Sequence, residues 1–278
     1  MLKDFNQRII EEFRANHGRV GGPFEGGRLL LLTTTGARTG NKHTNPLAYL
    51  PDGDRFLVIA SAGGAPSHPD WFHNLVANPR VTIEDGVFTR NAEAAVLEGE
   101  ERERLFARAV EADPGWAAYQ AKTERVIPVV ALRPLPEPPV VEGSPGEELV
   151  AIHGTFRREL DLIRREVAES GPVLGAQLRV NCLTVCQGLH FHHGVEDAHV
   201  FPTLEDRYPE LAEPLARLRA EHVVVARLLD RLKAAVTDAG ADRATVAAEV
   251  ERLTVELEAH LDYEESYLVP ALNAISFP

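Results

Sequence analysis

Two stretches of the chain repeat one pattern at one internal spacing: His192, Glu196 and Pro202 recur as His260, Glu264 and Pro270, sixty-eight residues later. On a helix, residues four apart share a face. Each stretch therefore offers an imidazole and a carboxylate to the same point, as a metal ion requires. A second pair of segments carries the duplication further, because His153, Arg158, Leu160 and Asp161 return as His222, Arg227, Leu229 and Asp230, sixty-nine residues on. The order is a helix with one His, then a helix with HxxxE, twice. Four such helices folded up and down bring four imidazoles and two carboxylates into one bundle core, the place where bundles build metal sites. Mixed nitrogen and carboxylate ligands suit a dinuclear iron or manganese site, whereas a structural zinc site more often uses Cys. One His on an apolar helix face is usually a hydrogen-bonded core residue; two matched pairs in a matched duplication are not. His193 and Asp197 also stand at i, i+4 and are an alternative pair. The Glu-Asp and Glu-Glu steps ahead of Phe-Pro and Val-Pro favour His192 over His193. His199 and its counterpart Tyr267 read as residues outside the ligand set.

These residues resemble the hemerythrin-like HHE cation-binding family over roughly residues 147 to 275. The resemblance implies a non-haem centre of two Fe ions, with His153, His192, His222 and His260 as terminal ligands and Glu196 and Glu264 as bridges. One position departs from the pattern. Oxygen-carrying members have a second His one turn after the His of the third helix, where this chain has Ala226. That departure implies a coordination position left open or filled by water, and reactivity with dioxygen, peroxide or nitric oxide rather than oxygen storage.

A chain of 278 residues is long enough for two cores. From Pro134, thirteen residues contain five Pro and two Gly, a composition that stays extended and links domains. The expected boundaries are a first domain over 1–134, a linker over 135–146 and a helical domain over 147–278. Charge divides the same way: residues 1–135 hold 16 Lys and Arg against 17 Asp and Glu, and residues 136–278 hold 13 against 25. The acidity belongs to the helical half, so nucleic acid is not an expected partner. No apolar run approaches a membrane span, and the charged N-terminus lacks the signal-peptide pattern; a cytoplasmic protein with no integral membrane segment is expected. Cys182 and Cys186, one turn apart, are expected to be reduced thiols in the bundle interior.

The first half alternates differently. Strands are predicted at 29–34, 44–50, 55–61, 80–84, 87–97 and 127–132, with hairpin turns at Pro51-Asp-Gly-Asp and Glu84-Asp-Gly. Helical spacing appears at 2–16, 68–77, 99–112 and 115–122. Short strands joined mainly by hairpins indicate an antiparallel barrel and not a Rossmann sheet. The fold class is α+β: a split β-barrel followed by an all-α, up-down four-helix bundle.

Two glycine loops interrupt the barrel pattern. Thr35-Gly-Ala-Arg-Thr-Gly-Asn41 lacks both nucleotide-binding glycine spacings. Its backbone and Arg38 nevertheless suit a phosphate. Ser61-Ala-Gly-Gly-Ala-Pro-Ser-His-Pro-Asp-Trp71 lets backbone approach a flat ring, offers Ser67 as a helix cap and offers Trp71 as a stacking face. Together with Tyr119-Gln-Ala-Lys-Thr-Glu-Arg-Val-Ile-Pro-Val-Val130, these segments resemble the deazaflavin-dependent nitroreductase family over roughly residues 10 to 134. The resemblance implies coenzyme F420 as cofactor. Arg38, Thr39 and Gly40 would hold its phosphate tail, and Ser61, Gly63, Gly64, Trp71 and Asn74 would line the ring pocket. Trp116 and Tyr119 would face substrate as the catalytic residues. His43 stands where the family often has Arg. His17, His68 and His73 have no partner spacing and read as surface or structural residues.

The expected protein is an F420-dependent oxidoreductase. It would pass hydride from the reduced deazaflavin to a small-molecule quinone, nitro compound or activated alkene, beside a di-iron centre, as a homodimer through the barrel. The competing reading is a non-enzymatic sensor or binder of oxygen, nitric oxide or iron whose barrel holds a ligand. Turnover separates the two.

Overall fold

The computed structural model describes residues 2–140, 143–238 and 240–275; Val141 and Glu142 of the expected linker, and the last three residues, lie outside them. The chain divides into two compact units, Met1–Val141 and Glu142–Pro278. Among the described residues no helix is long and apolar enough to cross a membrane.

The first unit is a closed antiparallel barrel of six strands. They are β1 (Leu29–Thr35), β2 (Lys42–Asp52), β3 (Arg55–Ile59), β4 (Arg80–Glu84), β5 (Thr89–Val96) and β6 (Val129–Pro134), in the order β1-β2-β3-β6-β5-β4. The four consecutive leucines of β1 show how sequence becomes layers. Successive strand residues face opposite sides. Leu30 and Leu32 thus enter the barrel core with Val58, Val81, Ile83, Val130 and Leu132, while Leu29 and Leu31 pack under Ile9, Ile10 and Phe13 of α1 (Leu2–Ala15). Both faces of β1 are covered, so the expected polar alternation is absent. The outer faces of β3 and β6 are covered in the same way by Leu105, Phe106 and Ala109 of α3 (Gly99–Ala112). Burying each such side chain contributes about 1.5–3 kcal/mol. Two shorter helices complete the unit, α2 (Asp70–Ala77) and α4 (Gly115–Gln120).

The second unit is the four-helix bundle: α5 (Pro145–Glu169), α6 (Ala176–Val195), α8 (Ala212–Thr237) and α9 (Arg243–Ala274), with the short α7 (Phe201–Arg207) between the second and third long helices. Ser144 and Glu147 form a reciprocal capping box that starts α5, and Asp242 accepts from the Thr245 amide at 2.8 Å to start α9. The core runs along all four long helices, and Cys182 and Cys186 lie in it as free thiols. Burial pushes the Cys186 thiol up to about 12, so it stays protonated. A π turn at Glu196–Val200 joins α6 to α7. Pro202, at the start of α7, favours the wider turn, since a prolyl ring removes one helical hydrogen bond and crowds the carbonyl one turn earlier.

The hairpin between β2 and β3 is tied down electrostatically. Asp52 accepts from Arg55 Nε at 2.6 Å and pairs with Arg108 Nη2 at 2.8 Å, and Arg55 reaches Glu101 at 2.7 Å. Burial pushes the Asp52 carboxyl up, but Arg108 and Arg55 outweigh it and hold it below its ordinary 3.8. Such a group stabilises the fold fully above its unfolded value, and the contribution is lost as pH falls through the folded value. Asp52→Asn should therefore destabilise the barrel by about 1–3 kcal/mol at neutral pH. Denaturant melts of parent and variant should converge as pH is lowered towards 3; a gap independent of pH would contradict the assignment.

Candidate functional sites

The two glycine loops of the barrel are brought together by α2. The first loop closes on itself through Gly36 N to Asn41 O (2.7 Å) and Gly40 N to Gly36 O (2.9 Å), with Gly40 at φ 71. A Cβ at Gly36 would meet Thr39 Oγ1 at 2.7 Å and Asn41 O at 3.2 Å, so a side chain there would displace its neighbours. Asn74 of α2 accepts from the Ala37 amide at 3.0 Å and donates to Thr34 Oγ1 at 3.2 Å. Asn78, at the end of α2, donates to Thr35 O at 3.2 Å. Arg38 and Thr39 are left exposed at the tip, with the Arg38 guanidinium unengaged among the described residues.

The second loop leads into α2. Ser61 Oγ accepts from Gly63 N at 3.4 Å, and Gly63 and Gly64 both lie in the left-handed region, at φ 64 and 85. A Cβ at Gly64 would stand 2.7 Å from Tyr119 O. Thus α4, which carries Trp116 and Tyr119 with their rings 6.0 Å apart, seats directly on this loop. Two details differ from the sequence reading. Pro69, and not Ser67, occupies the N-cap of α2, without a side-chain bond. Trp71 is only 6% exposed and belongs to the barrel core with Phe72 and Leu75, so its ring is not an open stacking face here.

In the bundle, the duplicated residues converge. His153 Nε2 lies 3.1 Å from His192 Nε2, and Glu264 Oε2 lies 3.7 Å from His153 and 3.4 Å from His260. Glu196 reaches His192 at 3.2 Å with one oxygen and His222 at 3.7 Å with the other. The potential ligand atoms form two groups, each within 4.8 Å: His153, His192, Glu196 and Glu264, and His193, His222 and His260. Each carboxylate thus faces one imidazole of either group, as a bridge would. His192 and His193 are not alternatives, since the structure brings in both. His193 is buried with its ring stacked on His222, centroids 4.2 Å apart at 11°. Beside His222, where Ala226 departs from the family pattern, α6 places the His193 imidazole. Asp197 is no rival ligand, and His199 and Tyr267 are exposed.

The structure adds three outer carboxylates in roles that the sequence does not assign to them. Glu265 faces His153 Nδ1 at 2.9 Å, Asp197 faces His222 Nδ1 at 3.0 Å and Glu221 faces His260 Nδ1 at 3.0 Å. Each leaves Nε2 directed inward, the outer partnership that orients metal-binding imidazoles. Their signal was adjacency, because each directly flanks a His or Glu of the duplicated pattern. Arg157 holds Glu265 in turn, at 2.6 Å.

The fit to a metal can be tested on the polar atoms themselves. Seven buried atoms, namely His193, His222 and His260 Nε2 and both oxygens of Glu196 and Glu264, have no hydrogen-bond partner among the described residues. Buried polar groups are nearly always paired, so seven converging without partners fit a cation. The electrostatics agree. Burial, then His153, takes His192 down to about 3; burial, then His222, lowers His193; burial, then His260, lowers His222. For His260, burial is overcome by Glu264 and Glu221, which raise it. Burial pushes Glu264 up, but His260 and His153 bring it to about 2, while burial and the facing Glu264 raise Glu196 well above the carboxylate range. Without a cation, the pair keeps one proton.

Comparison with known proteins bears on both units. Residues 6–134 match the family model described as F420H(2)-dependent quinone reductase, and residues 144–272 match the hemerythrin HHE cation binding domain. An F420H(2)-dependent quinone reductase of Mycobacterium tuberculosis is 40% identical over 124 residues, which are 43% of this chain and 83% of the relative. A solved F420-H2 dependent reductase (FDR-A) is 44% identical, covering 38% of this chain and 94% of that one with a TM-score of 0.36. A further solved structure, described as a domain-swapped dimer, is 39% identical over 48% of this chain and 96% of that one, with a TM-score of 0.38. The chain belongs, through its barrel, to the F420H(2)-dependent quinone reductase family, and its bundle matches the hemerythrin HHE cation binding domain.

Proposed function

We propose that the chain is an oxidoreductase that uses reduced coenzyme F420 to reduce a quinone, nitro compound or activated alkene, and that its bundle holds two iron ions reactive towards dioxygen, peroxide or nitric oxide. The observation that carries the first part is the 40% identity to a named quinone reductase over 83% of that relative. The seven unpartnered buried atoms support the second. When bound, the deazaflavin supplies a hydride, two electrons at a time. On this reading the residues of the barrel bind and orient. Arg38, with the Thr39 and Gly40 backbone, holds the phosphate tail through a charged fork. Ser61, Gly63, Gly64 and Asn74 shape the ring side, with Trp71 backing it from the core. Trp116 and Tyr119 face substrate, and the Tyr119 hydroxyl donates the proton that follows hydride transfer. His153, His192, His193, His222 and His260, with Glu196 and Glu264, would hold the ions, a nitrogen and oxygen set that iron accepts. We take the assembly to be a homodimer through the barrel, as the split-barrel resemblance implies. Steady oxidation of reduced F420 by a soluble quinone, many turnovers per chain, tests the enzyme reading; a single stoichiometric change would favour a sensor.

Three outcomes follow. Arg38→Ala should weaken F420 binding by about 1.5–3 kcal/mol, through loss of a charge-assisted bond, with FMN bound more weakly than F420 by the parent; calorimetric titration checks both. Glu196→Ala should lose at least one iron per chain by metal analysis and lower the melting temperature of the loaded protein, since metal binding and folding are coupled. Because Glu196 is raised and must give up its proton to act as a ligand, metal affinity should rise with pH and loading should release protons. Titrations in two buffers of different ionisation enthalpy read that release directly, and identical heats would refute it.

A further inference from the structure

One cation of the barrel is unused by the reading above. Arg125 donates from Nε to Ala65 O at 2.9 Å, from Nη1 to Ala60 O at 3.2 Å and from Nη2 to Ser61 O at 2.7 Å, and its Nη1 lies 2.9 Å from His68 Nδ1. Among the described residues no carboxylate pairs with it. One guanidinium thus gathers three carbonyls and an imidazole of the same glycine loop, from about sixty residues away in the chain.

Two consequences follow from elementary chemistry. A guanidinium only donates, so His68 Nδ1 must accept and the ring proton must sit on Nε2, across the ring from Arg125. Burial and then Arg125 lower the His68 pKa, in keeping with a neutral ring. A trans peptide directs its N–H opposite to its carbonyl. With Ser61 O turned to Arg125, the Ala62 amide therefore points away from the cation, and no described residue accepts from it. Ala62 is also held at φ 48, a left-handed conformation that a residue with a Cβ adopts at a cost and keeps only where its surroundings enforce it. Arg125 on one side, and Tyr119 O against Gly64 on the other, are those surroundings.

We propose that Arg125 is the positioning residue of the ring pocket: by drawing three carbonyls and His68 Nδ1 to one side of the loop, it presents the Ala62 amide and the His68 Nε2–H on the other, as donors to the carbonyl-bearing edge of the deazaflavin. This rests on the F420 reading. It also makes His68 part of the pocket and not a surface residue.

The full chain and its Arg125→Lys and Arg125→Gln variants, titrated with F420 and assayed with reduced F420 and a quinone, provide the test. The variants should bind F420 about tenfold or more weakly, as expected for a lost pair of hydrogen bonds. The KM for reduced F420 should rise equally, with kcat and iron content held. A merely structural role would instead lower the melting temperature and the active fraction without moving KM. The ring nitrogens of His68, read by NMR in the parent alone, should show the proton on Nε2. A proton on Nδ1, or variants that bind F420 like the parent, would overturn the inference while leaving the F420 reading intact. A parent that binds no F420 overturns both.

Discussion

The second unit is organised around a debt of hydration. Five imidazoles and two carboxylates stand in the bundle interior, where an unpaired polar group costs several times what a made hydrogen bond contributes. Hydrophobic packing along α5, α6, α8 and α9 must hold them there, and it can, because the leucine and valine stripe runs past the cluster at both ends. The outer carboxylates settle the outward nitrogens. Seven inward atoms are left without a hydrogen-bond partner among the described residues, an arrangement that fits a positive charge. The choice of Glu at two facing positions, with imidazoles around them, suits that one requirement.

The barrel answers a different constraint, that of bringing backbone close to a ligand. Its loops spend hydrogen bonds on their own shape: Asn74 and Asn78 brace the first, and Arg125 and the seat of α4 brace the second. Glycine appears where a left-handed turn or a neighbouring peptide leaves no room for a side chain. The closing segment from α4 to β6 supplies both the brace and Tyr119, so geometry at the loop and chemistry at the proposed substrate face are set by one stretch of chain.

Much of this was legible beforehand. Apolar and β-branched runs bounded by turns located all six strands, and helical spacing located α1 to α4 and the bundle. The run Leu29–Leu32 was readable as a strand, but its two covered faces were not, since that depends on where α1 packs and how the barrel closes. The HxxxE repeats were visible because a helix converts spacing into direction. His193 was harder. Neighbours on a helix point about a hundred degrees apart, so sequence favoured one of the doublet; in the bundle, two groups lie side by side and both imidazoles reach one. Glu221, Asp197 and Glu265 were invisible as partners because their contacts cross between helices. Arg125 lay inside a block already noted for its resemblance, yet its grip on a loop about sixty residues away is a tertiary fact.

The π turn at Glu196–Val200 breaks a symmetry that the sequence keeps. The two repeats place Pro ten residues after His, but only the first widens; α9 carries Pro270 within continuous helix. Each residue of a wider turn sweeps a smaller angle, so the side chains beyond it lag behind those of the second repeat. Phe201 is laid against the His222 ring, centroids 5.3 Å apart, and is fully buried, whereas its counterpart Val269 is only partly buried in the same cluster. Each imidazole group thus has a phenyl ring against one member, Phe201 on His222 and Phe156 on His192 at 5.4 Å, but the two rings come from different elements. The duplicated sequence therefore folds into two unequal halves: the ring against His222 comes from beyond the widened turn, and the ring against His192 comes from α5.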